Sequence, residues 1–348
     1  MPYDLKGKQP ALESGSTVLV TGVTGLIGGH VADKLIDDGY KVRGTTRSAS
    51  KGKWAEEYFS QKYGPEKFEL VEVPDLTNEN ALKEVLDGVS GVAHVASDVS
   101  LSPDPNQVIT STLKFIRTVL SAAAATPSVK RFVYTSSSTA LTNAKPGERI
   151  KITLDTWNDE AVKDAWAPPP YEKARAWAVY AASKTQGEKE IWNFVQENKP
   201  GFVLNAVLPN ANYGPVLHKS QNASTSGWVA NIYRTGKADD FLEIKPQWSV
   251  DVEDVALLHV AALIDPDVQN ERILAFGEPF NWSKILGIFR HLAPGKKFQP
   301  PIENEPEDLM EIPNERAAEL LTKFGQHGFT PLEQSLKKHV EFEEANAS

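Results

Sequence analysis

One stretch decides the fold of this 348-residue chain: Ser16-Thr-Val-Leu-Val-Thr-Gly-Val-Thr-Gly-Leu-Ile-Gly-Gly-His30. The apolar run Val18–Val20 is too short for a helix and has the β-branched character of a strand covered on both faces. Gly22, Gly25 and Gly28 then recur at every third residue, which allows a tight turn, a close approach to a pyrophosphate and close packing of the next helix. The first N–H groups of that helix are free to bind phosphates. The stretch therefore predicts a strand, a glycine turn and a helix that hold a nucleotide.

The glycine pattern needs support from other motifs. A strand, a turn and a helix that bind no ligand have the same pattern, so this alternative stays open at this point. The spacing T-G-x-x-G-x-x-G also differs from the G-x-G-x-x-G of simple dehydrogenases.

The composition favours a protein that acts on a small molecule. A chain of this length fits a nucleotide-binding domain with a second lobe, and its formal net charge of −9 argues against nucleic acid or an anionic membrane as partner. There is no cysteine, and the seven histidines are scattered without an H-E-x-x-H pattern, so no metal site is expected. No apolar run approaches the roughly 18 residues of a membrane span, and no signal peptide is apparent. We expect a cytoplasmic monomer or homodimer.

The end of the second predicted strand selects the cofactor. A helix over Leu26–Asp38 leads to a strand over Tyr40–Arg47, where an NAD enzyme places Asp or Glu to bind the ribose 2′-hydroxyl. This chain has Arg47 there instead, followed by Lys51. Because a guanidinium binds a phosphate dianion through two hydrogen bonds, the sequence favours NADPH or NADP+. A solvated basic loop is the alternative.

Two further strands carry candidate cofactor contacts. The alternating stretch Phe68–Val73 predicts a third strand, and Asp75 after it either binds the adenine amino group or caps a helix that starts near Thr77. Gly91–Ser97 is the fourth predicted strand, and its small residues let the backbone pass beneath the cofactor. The Ser- and Pro-rich segment Asp98–Asn106 is interpreted as a loop over the active site.

Hydroxyl groups follow the fifth predicted strand. Arg131–Ser138 ends in Thr, Ser, Ser and Ser, at the edge where open α/β sheets bind ligands. Further along, Tyr180 and Lys184 share one face of a predicted helix. An adjacent ammonium lowers the pKa of a phenol, so Tyr180 is expected to give its proton to a carbonyl oxygen that a serine hydroxyl steadies. A plain turn and an ordinary exposed Tyr–Lys pair are the alternatives.

Taken together, the motifs resemble the extended short-chain dehydrogenases/reductases. The likeness is carried by Thr21-Gly22-x-x-Gly25-x-x-Gly28, Arg47, Pro74-Asp75-Leu76, Thr135-Ser136-Ser137 and Tyr180-x-x-x-Lys184. It is strongest to fungal NADPH-dependent aldehyde and ketone reductases and to the dihydroflavonol-4-reductase group. Two departures are a proline-bearing insert at Trp166–Tyr171 and a missing N-W-Y-C segment, so no CoA thioester substrate is expected.

The resemblance implies a Rossmann-type α/β fold, with a doubly wound parallel sheet and a smaller C-terminal substrate-binding lobe. It implies that Ser137, Tyr180 and Lys184 are the catalytic residues, with Tyr180 as proton donor. The cofactor contacts that it implies are made by Gly22, Thr24, Gly25, Leu26, Ile27, Gly28, Arg47, Lys51, Asp75, Leu76, Val95, Ala96, Ser97, Thr135, Ser136, Tyr180, Lys184, Pro209 and Ser224.

The second half of the chain is expected to build the substrate lobe. Residues 1–208 are the predicted nucleotide-binding domain, to which residues 250–275 return. The lobe takes residues 209–249 and 276–348, because Leu208-Pro-Asn breaks away from the last strand of the first domain.

Two segments are expected to line or cover the substrate cleft: Tyr213–Trp228 and Ala293–Pro306. The aromatic side chains of Tyr213, Trp228 and Phe241 suit an apolar or aromatic carbonyl compound. The alternative for each of these three side chains is a place in the lobe's core.

The sequence therefore predicts an NADPH-dependent reductase of aldehydes or ketones. An epimerase or dehydratase of the same fold is one alternative, against which Arg47 and the lack of an acidic pair near Tyr180 argue. A binding module that senses NADP without catalysis is the other, against which the presence of both Tyr180 and Lys184 argues.

Overall fold

The computed structural model describes residue 3 and residues 5–346. The strands are β1 (Thr17–Thr21), β2 (Lys41–Thr46), β3 (Phe68–Glu72), β4 (Val89–His94), β5 (Arg131–Thr135), β6 (Val203–Pro209), β7 (Ala211–Tyr213), β8 (Gln247–Asp251), β9 (Arg272–Ala275) and β10 (Glu278–Phe280). The helices are α1 (Leu26–Asp37), α2 (Ala49–Tyr63), α3 (Glu79–Leu86), α4 (Pro105–Ala124), α5 (Asp159–Ala165), α6 (Ala176–Asn198), α7 (Ser226–Thr235), α8 (Val252–Ile264), α9 (Trp282–Leu292), α10 (Glu315–Lys323) and α11 (Leu332–Ala345).

Seven of these strands form one parallel sheet, in the order β3-β2-β1-β4-β5-β6-β9. Helices α1, α2, α8 and α10 contribute to the apolar core on one face, and α3, α4 and α6 to the core on the other. Burial on both faces explains uninterrupted apolar runs such as Val18–Val20. The predicted doubly wound Rossmann-type sheet is confirmed. Because the strand order reverses between β1 and β4, the crevice for a ligand lies at the carboxyl ends of the central strands.

The fourth and fifth strands are shorter than the sequence predicted. β4 ends at His94 and β5 at Thr135, so Val95–Ser97 and Ser136–Ser137 form irregular backbone at the carboxyl edge of the sheet. Side chains at this edge are therefore placed by individual hydrogen bonds rather than by the alternation of a strand.

A second sheet, in the order β10-β8-β7, builds the lobe with α7, α9 and α11 packed around it. The packing departs from the predicted partition in one place. β8 extends to Asp251, but its Val250 already packs in the core of the large sheet, where the return was predicted to begin. α10 packs against α8 and β9, and its residues Ala317, Leu320 and Leu321 belong to the core of the large sheet. The α10 placement was not predicted because an amphipathic pattern does not reveal which of two cores a helix covers. The substrate-binding role of the lobe stays a prediction.

None of the helices within residues 5–346 combines the length and the apolar character that crossing a membrane requires. Over the same part of the chain, no three acidic or histidine side chains gather where they could hold a metal ion. The cytoplasmic location and the oligomeric state stay predictions.

Candidate active site

The glycine turn joins β1 to α1 through a close approach of backbone segments. Gly22 has φ +69°, and a Cβ there meets Ala96 Cα at 3.0 Å; a Cβ on Gly28 meets the carbonyl oxygen of Gly22 at 2.3 Å. Both positions therefore need glycine. Gly25 differs, because its backbone is extended (φ −82°) and a Cβ meets only the Gly22 oxygen, at 3.3 Å. The fold therefore does not need a glycine at residue 25.

The N-terminus of α1 offers backbone N–H groups to an anion. No side chain caps it, whereas Asp104 caps α4 and Asp251 caps α8. The Leu26 side chain is buried, which leaves its backbone for the predicted cofactor contact, and the Ile27 side chain is partly buried against the core. Within the described chain the Thr24 hydroxyl makes no hydrogen bond.

The lobe reaches the glycine turn through residues 215–222. Gln221 is buried; its Nε2 donates to the carbonyl oxygen of Gly25 (2.9 Å), and its Oε1 accepts from the backbone N–H of Leu217 (2.7 Å). A Cβ on Gly29 meets Gln221 Nε2 at 2.4 Å, which explains the second glycine of the Gly-Gly pair. Sequence reasoning missed this contact because no local pattern marks it.

Thr21 orders the backbone beside the glycine turn. Its Oγ1 accepts from the N–H groups of Val95 and Ala96, both at 3.1 Å, and lies 2.9 Å from His94 Nδ1. Burial lowers the pKa of His94 to about 3, so the ring is neutral and its Nδ1 accepts the Thr21 proton. Thr21 thereby places two predicted cofactor residues, a role that its place in the glycine motif did not reveal; Ser97 follows them, partly buried.

Two cations stand at the end of β2. Arg47 and Lys51 are exposed, and in the described part of the chain neither makes a hydrogen bond or an ion pair. Glu72 at the end of β3 accepts from the backbone N–H of Ala49 (2.6 Å) and so orders the start of α2, which carries Lys51. The contact of Glu72 with Ala49 was not predicted, because the two residues are 23 positions apart in sequence. Both cations are free to meet an anion such as a 2′-phosphate.

Asp75 does not cap a helix. Its carboxylate accepts from the backbone N–H and the hydroxyl of Thr77 (2.8 and 2.9 Å), and these bonds lower the pKa of Asp75. The cap of α3 is Asn78, three residues further on. The capping alternative is therefore wrong, and contact of Asp75 with adenine stays a prediction. Leu76 packs partly against the core, which leaves its backbone as the group for such a contact.

Ser137, Tyr180 and Lys184 meet at the carboxyl end of β5. The Ser137 hydroxyl acts as a donor to the phenol oxygen of Tyr180, and Ser137 Oγ accepts from the N–H and the hydroxyl of Thr139 (3.3 and 3.0 Å). Lys184 Nζ donates to the carbonyl oxygen of Thr135 (3.1 Å). The structure thus brings the three predicted catalytic side chains to one strand end.

The ionisation of this trio differs from the expectation. Burial raises the pKa of Tyr180, and the hydrogen bond with Ser137 opposes that rise. Burial lowers the pKa of Lys184 to about 8, against the attraction of the Glu188 carboxylate. The expected lowering of the Tyr180 pKa by Lys184 is therefore wrong for this structure, since burial dominates both groups. Near neutral pH Tyr180 is therefore a protonated phenol and Lys184 is still mostly a cation.

The side chains of Thr135 and Ser136 face the protein interior, so only their backbone remains for the predicted cofactor contacts. Thr135 Oγ1 lies 2.7 Å from His259 Nε2, and His259 Nδ1 lies 2.7 Å from the carbonyl oxygen of Val255. Burial lowers the pKa of His259 to about 4, so the neutral ring donates through Nδ1 and accepts the Thr135 proton at Nε2. Ser136 Oγ donates to Glu188 Oε2 (2.6 Å).

Pro209 and Ser224 stand on either side of the junction with the lobe. Pro209 ends β6 and is buried. Ser224 is exposed, with φ +48°, and its N–H donates to Asn222 Oδ1 (2.9 Å). Their contact with a nicotinamide stays a prediction.

The aromatic side chains chosen from the sequence belong to the lobe's core. Tyr213 is fully buried edge-on to Phe280, while Trp228 and Phe241 pack against Trp282. The core alternative is therefore correct for Tyr213, while Trp228 and Phe241 are partly buried against that core and their contact with a substrate stays a prediction. An aromatic ring that sequence reasoning missed, Trp177, is 49% exposed and lies edge-on to Tyr180, with 6.0 Å between ring centres. Its position three residues before Tyr180 on α6 was a usable signal.

The segment Ala293–Pro306 packs against the lobe. Phe298 packs in the lobe's core, and Gln299 bonds the start of the segment after α7, through its N–H to Gly236 and its side chain to Ala238. Met310, which follows this segment, lines a cavity of about 20 Å³ next to Ser138, which has room for roughly one water. The role of Ala293–Pro306 as a cover of the substrate cleft stays a prediction.

The family follows from a comparison of the whole chain with known proteins. Residues 18–277 match the model of the NAD dependent epimerase/dehydratase family. The chain belongs to this family. The resemblance to the extended short-chain dehydrogenases/reductases is thereby confirmed, and with it a nicotinamide dinucleotide as the family's cofactor.

Relatives of this chain are named after different reactions. The chain is 43% identical over 94% of its length to the NAD-dependent epimerase/dehydratase terH of Aspergillus terreus, of which 96% is covered. It is 39% identical over 96% of its length to aldehyde reductase 2 of Sporidiobolus salmonicolor, of which 98% is covered. Among solved structures, Gre2 of Candida albicans in complex with NADPH superposes with a TM-score of 0.80 at 25% identity, covering 95% of this chain and 99% of that one.

Proposed function

We propose that this protein reduces an aldehyde or a ketone to an alcohol with NADPH. The observation that carries the proposal is the placement of Ser137, Tyr180 and Lys184 at one end of β5, where Lys184 donates to the carbonyl oxygen of Thr135 and Ser137 lowers the pKa of the Tyr180 phenol. The relative named aldehyde reductase 2 supports the reaction class, and the NADPH complex of Gre2 supports the cofactor.

The residues at the nucleotide crevice fit NADPH better than NADH. Arg47 and Lys51 have no internal partner within the described residues and stand where the 2′-phosphate is expected. The uncapped start of α1 suits the pyrophosphate, and Gly25 leaves the turn without a side chain. Arg47 and Lys51 would hold the 2′-phosphate, and the N–H groups of the turn would hold the diphosphate.

NADPH, when bound, supplies the hydride. The raised pKa of Tyr180 keeps its proton on the phenol at neutral pH, ready for the substrate's carbonyl oxygen. Ser137 accepts two hydrogen bonds from Thr139, so its own proton points to Tyr180 and can stabilise the carbonyl oxygen or the phenolate that remains. Lys184 offers a nearby positive charge, fixed by the carbonyl oxygen of Thr135.

The substrate is expected to be apolar or aromatic. Trp177 presents a half-exposed ring beside Tyr180, and the loop after β4 exposes Val99 (60%) and Leu101 (41%). Apolar surface of this kind favours burial of a hydrocarbon or aryl group. Residues 209–249 and 276–348 are proposed as the lobe that closes over it.

Epimerase or dehydratase chemistry finds less support at the site. Dehydration needs a free acid or base besides Tyr180, and the carboxylate nearest along α6, Glu188, is bound to Arg272 and Ser136. The name of the family model and the names of relatives such as terH are in its favour.

The test is oxidation of NADPH by purified protein with a panel of aryl ketones and aldehydes. We expect turnover in the wild type and its loss in Tyr180→Phe. Tyr213→Phe is the matched control, because the Tyr213 hydroxyl is buried in the lobe's core and has no partner among the described residues. Protein that carries tightly bound NAD(H) without net oxidation would support the epimerase, and binding of NADPH without turnover a sensor.

A further inference from the structure

A buried carboxylate lies one helical turn after Lys184. Glu188 has no exposed surface, and its two oxygens accept from Arg272 Nε (2.6 Å), Ser136 Oγ (2.6 Å) and Trp192 Nε1 (3.3 Å). It therefore connects the helix that carries Tyr180 and Lys184 with the strand end that carries Ser137.

Arg272 holds this carboxylate from the edge of the sheet. Its Nη1 donates to the carbonyl oxygens of Leu154 and Thr156, the latter at 3.0 Å, and its guanidinium lies 3.9 Å from the ring centre of Trp157. The pair thus joins β9, α6 and the segment before α5. Its ion-pair distance is 2.6 Å, and the Arg272 side chain is 9% exposed.

Stability alone does not account for such a pair. Well-packed apolar side chains of similar volume are often as stable as a buried ion pair or more so, because removing two charges from water is costly. The polar contacts of this pair lead to the residue next to Ser137 and to the turn of α6 that carries Lys184. These contacts indicate that the Glu188–Arg272 pair has a role in the arrangement of Ser137, Tyr180 and Lys184.

We propose that Glu188, held by Arg272, is the positioning residue that fixes the Ser137 end of β5 against the Lys184 turn of α6. This inference rests on the proposed function. Glu188 acts through Ser136 and Lys184, and it touches neither substrate nor cofactor. Its hydrogen bond to Ser136 sets the backbone from which Ser137 projects.

The charge of Glu188 also acts on Lys184. The titratable and charged groups that face Lys184 are Tyr180 and Glu188 on its own helix, Tyr134 on β5, His94 on β4, His259 on α8 through Thr135, and Arg272 on β9 through Glu188. Both histidines are neutral, and Glu188 is the one group that raises the pKa of Lys184. Neutralising Glu188 lowers that pKa further below its value of about 8.

Glu188→Gln tests the proposal in the NADPH oxidation assay across pH. We expect kcat to fall roughly 10- to 100-fold, as small misplacements of reacting groups do, with KM for the carbonyl nearly unchanged. The basic limb of the pH profile should move about one pH unit lower. The double variant Glu188→Gln with Arg272→Met leaves no unpaired buried charge, and it should show the same shift if the single variant folds poorly.

Asp265→Asn is the matched control. Asp265 is as buried as Glu188 and pairs with Lys323 at the same 2.6 Å, but it lies after α8, away from the trio. It should lose stability and keep the pH profile of the wild type. Lys184 can also be titrated by NMR in protein with 13Cε-labelled lysine and no cofactor, with Lys184→Arg for assignment.

The outcomes separate the two proposals. A wild type that oxidises no NADPH contradicts the proposed function, and the NMR titration still tests the link between Glu188 and Lys184. An active wild type whose Glu188→Gln variant keeps both its kcat and its pH profile overturns the inference, as does an unchanged Lys184 titration.

Discussion

Alanine at Gly25 and at Gly28 should have opposite effects. A Cβ on Gly28 meets the backbone oxygen of Gly22 at 2.3 Å, which no rotamer change relieves. Overpacking costs about 1–3 kcal/mol, and we take the upper end because the clash is with backbone. Alanine recovers about 1 kcal/mol of helix propensity, so Gly28→Ala should lose about 2 kcal/mol of unfolding free energy. At Gly25 the same methyl is tolerated at 3.3 Å, so stability should stay within about 0.5 kcal/mol of the wild type.

Binding should show the reverse order. The methyl of Gly25→Ala faces the proposed path of the diphosphate and displaces at least one charge-assisted hydrogen bond, worth about 1.5–3 kcal/mol. This corresponds to a rise of roughly 10- to 150-fold in the Kd for NADPH. Urea unfolding without cofactor and fluorescence titration with NADPH measure the two effects. Gly201→Ala, with open space around it, is the control. A Gly25→Ala protein that binds NADPH as the wild type does would refute the assignment of the turn.

Two further predictions concern charge. Arg47→Ala should raise the Kd for NADPH by roughly 10- to 100-fold and leave the Kd for NADH nearly unchanged, because the guanidinium meets only the 2′-phosphate; equal losses for both cofactors would contradict this. The second concerns Lys184, whose pKa is about 8 in the folded protein against 10.5 in the unfolded chain. The unfolded chain binds more protons between these values, so stability relative to Lys184→Met should be lowest below pH 8 and rise by about 3 kcal/mol up to pH 10.5. Unfolding of both proteins by urea from pH 7 to 10.5 checks this, and a constant difference would refute it.

The parts of the site that the sequence predicts are those that depend on local spacing. The glycines of the turn, the hydroxyl groups after β5 and the four-residue separation of Tyr180 from Lys184 each follow from the geometry of one element or one junction. Parallel strands bring their carboxyl ends to one edge, so the amino-acid sequence alone suffices to place these separate stretches together.

Contacts between segments remote in sequence were not predictable. Gln221 reaches Gly25 across 196 positions, and Arg272 reaches Glu188 across 84, without a pattern that marks either partner. The prediction that the Tyr180 pKa is lowered was wrong for a related reason. Spacing gives the neighbours of a group but not its burial, and burial is the larger effect here.

The most direct test of the central claim follows a labelled hydride. NADPH carrying deuterium at C4 of the nicotinamide, prepared as each diastereomer, is mixed with the protein and an aryl ketone that the panel shows to be turned over. We predict that one diastereomer yields an alcohol one mass unit heavier, with deuterium on the carbinol carbon, and that Tyr180→Phe yields almost none. Unlabelled alcohol from both diastereomers, or undiminished product from Tyr180→Phe, would contradict the account.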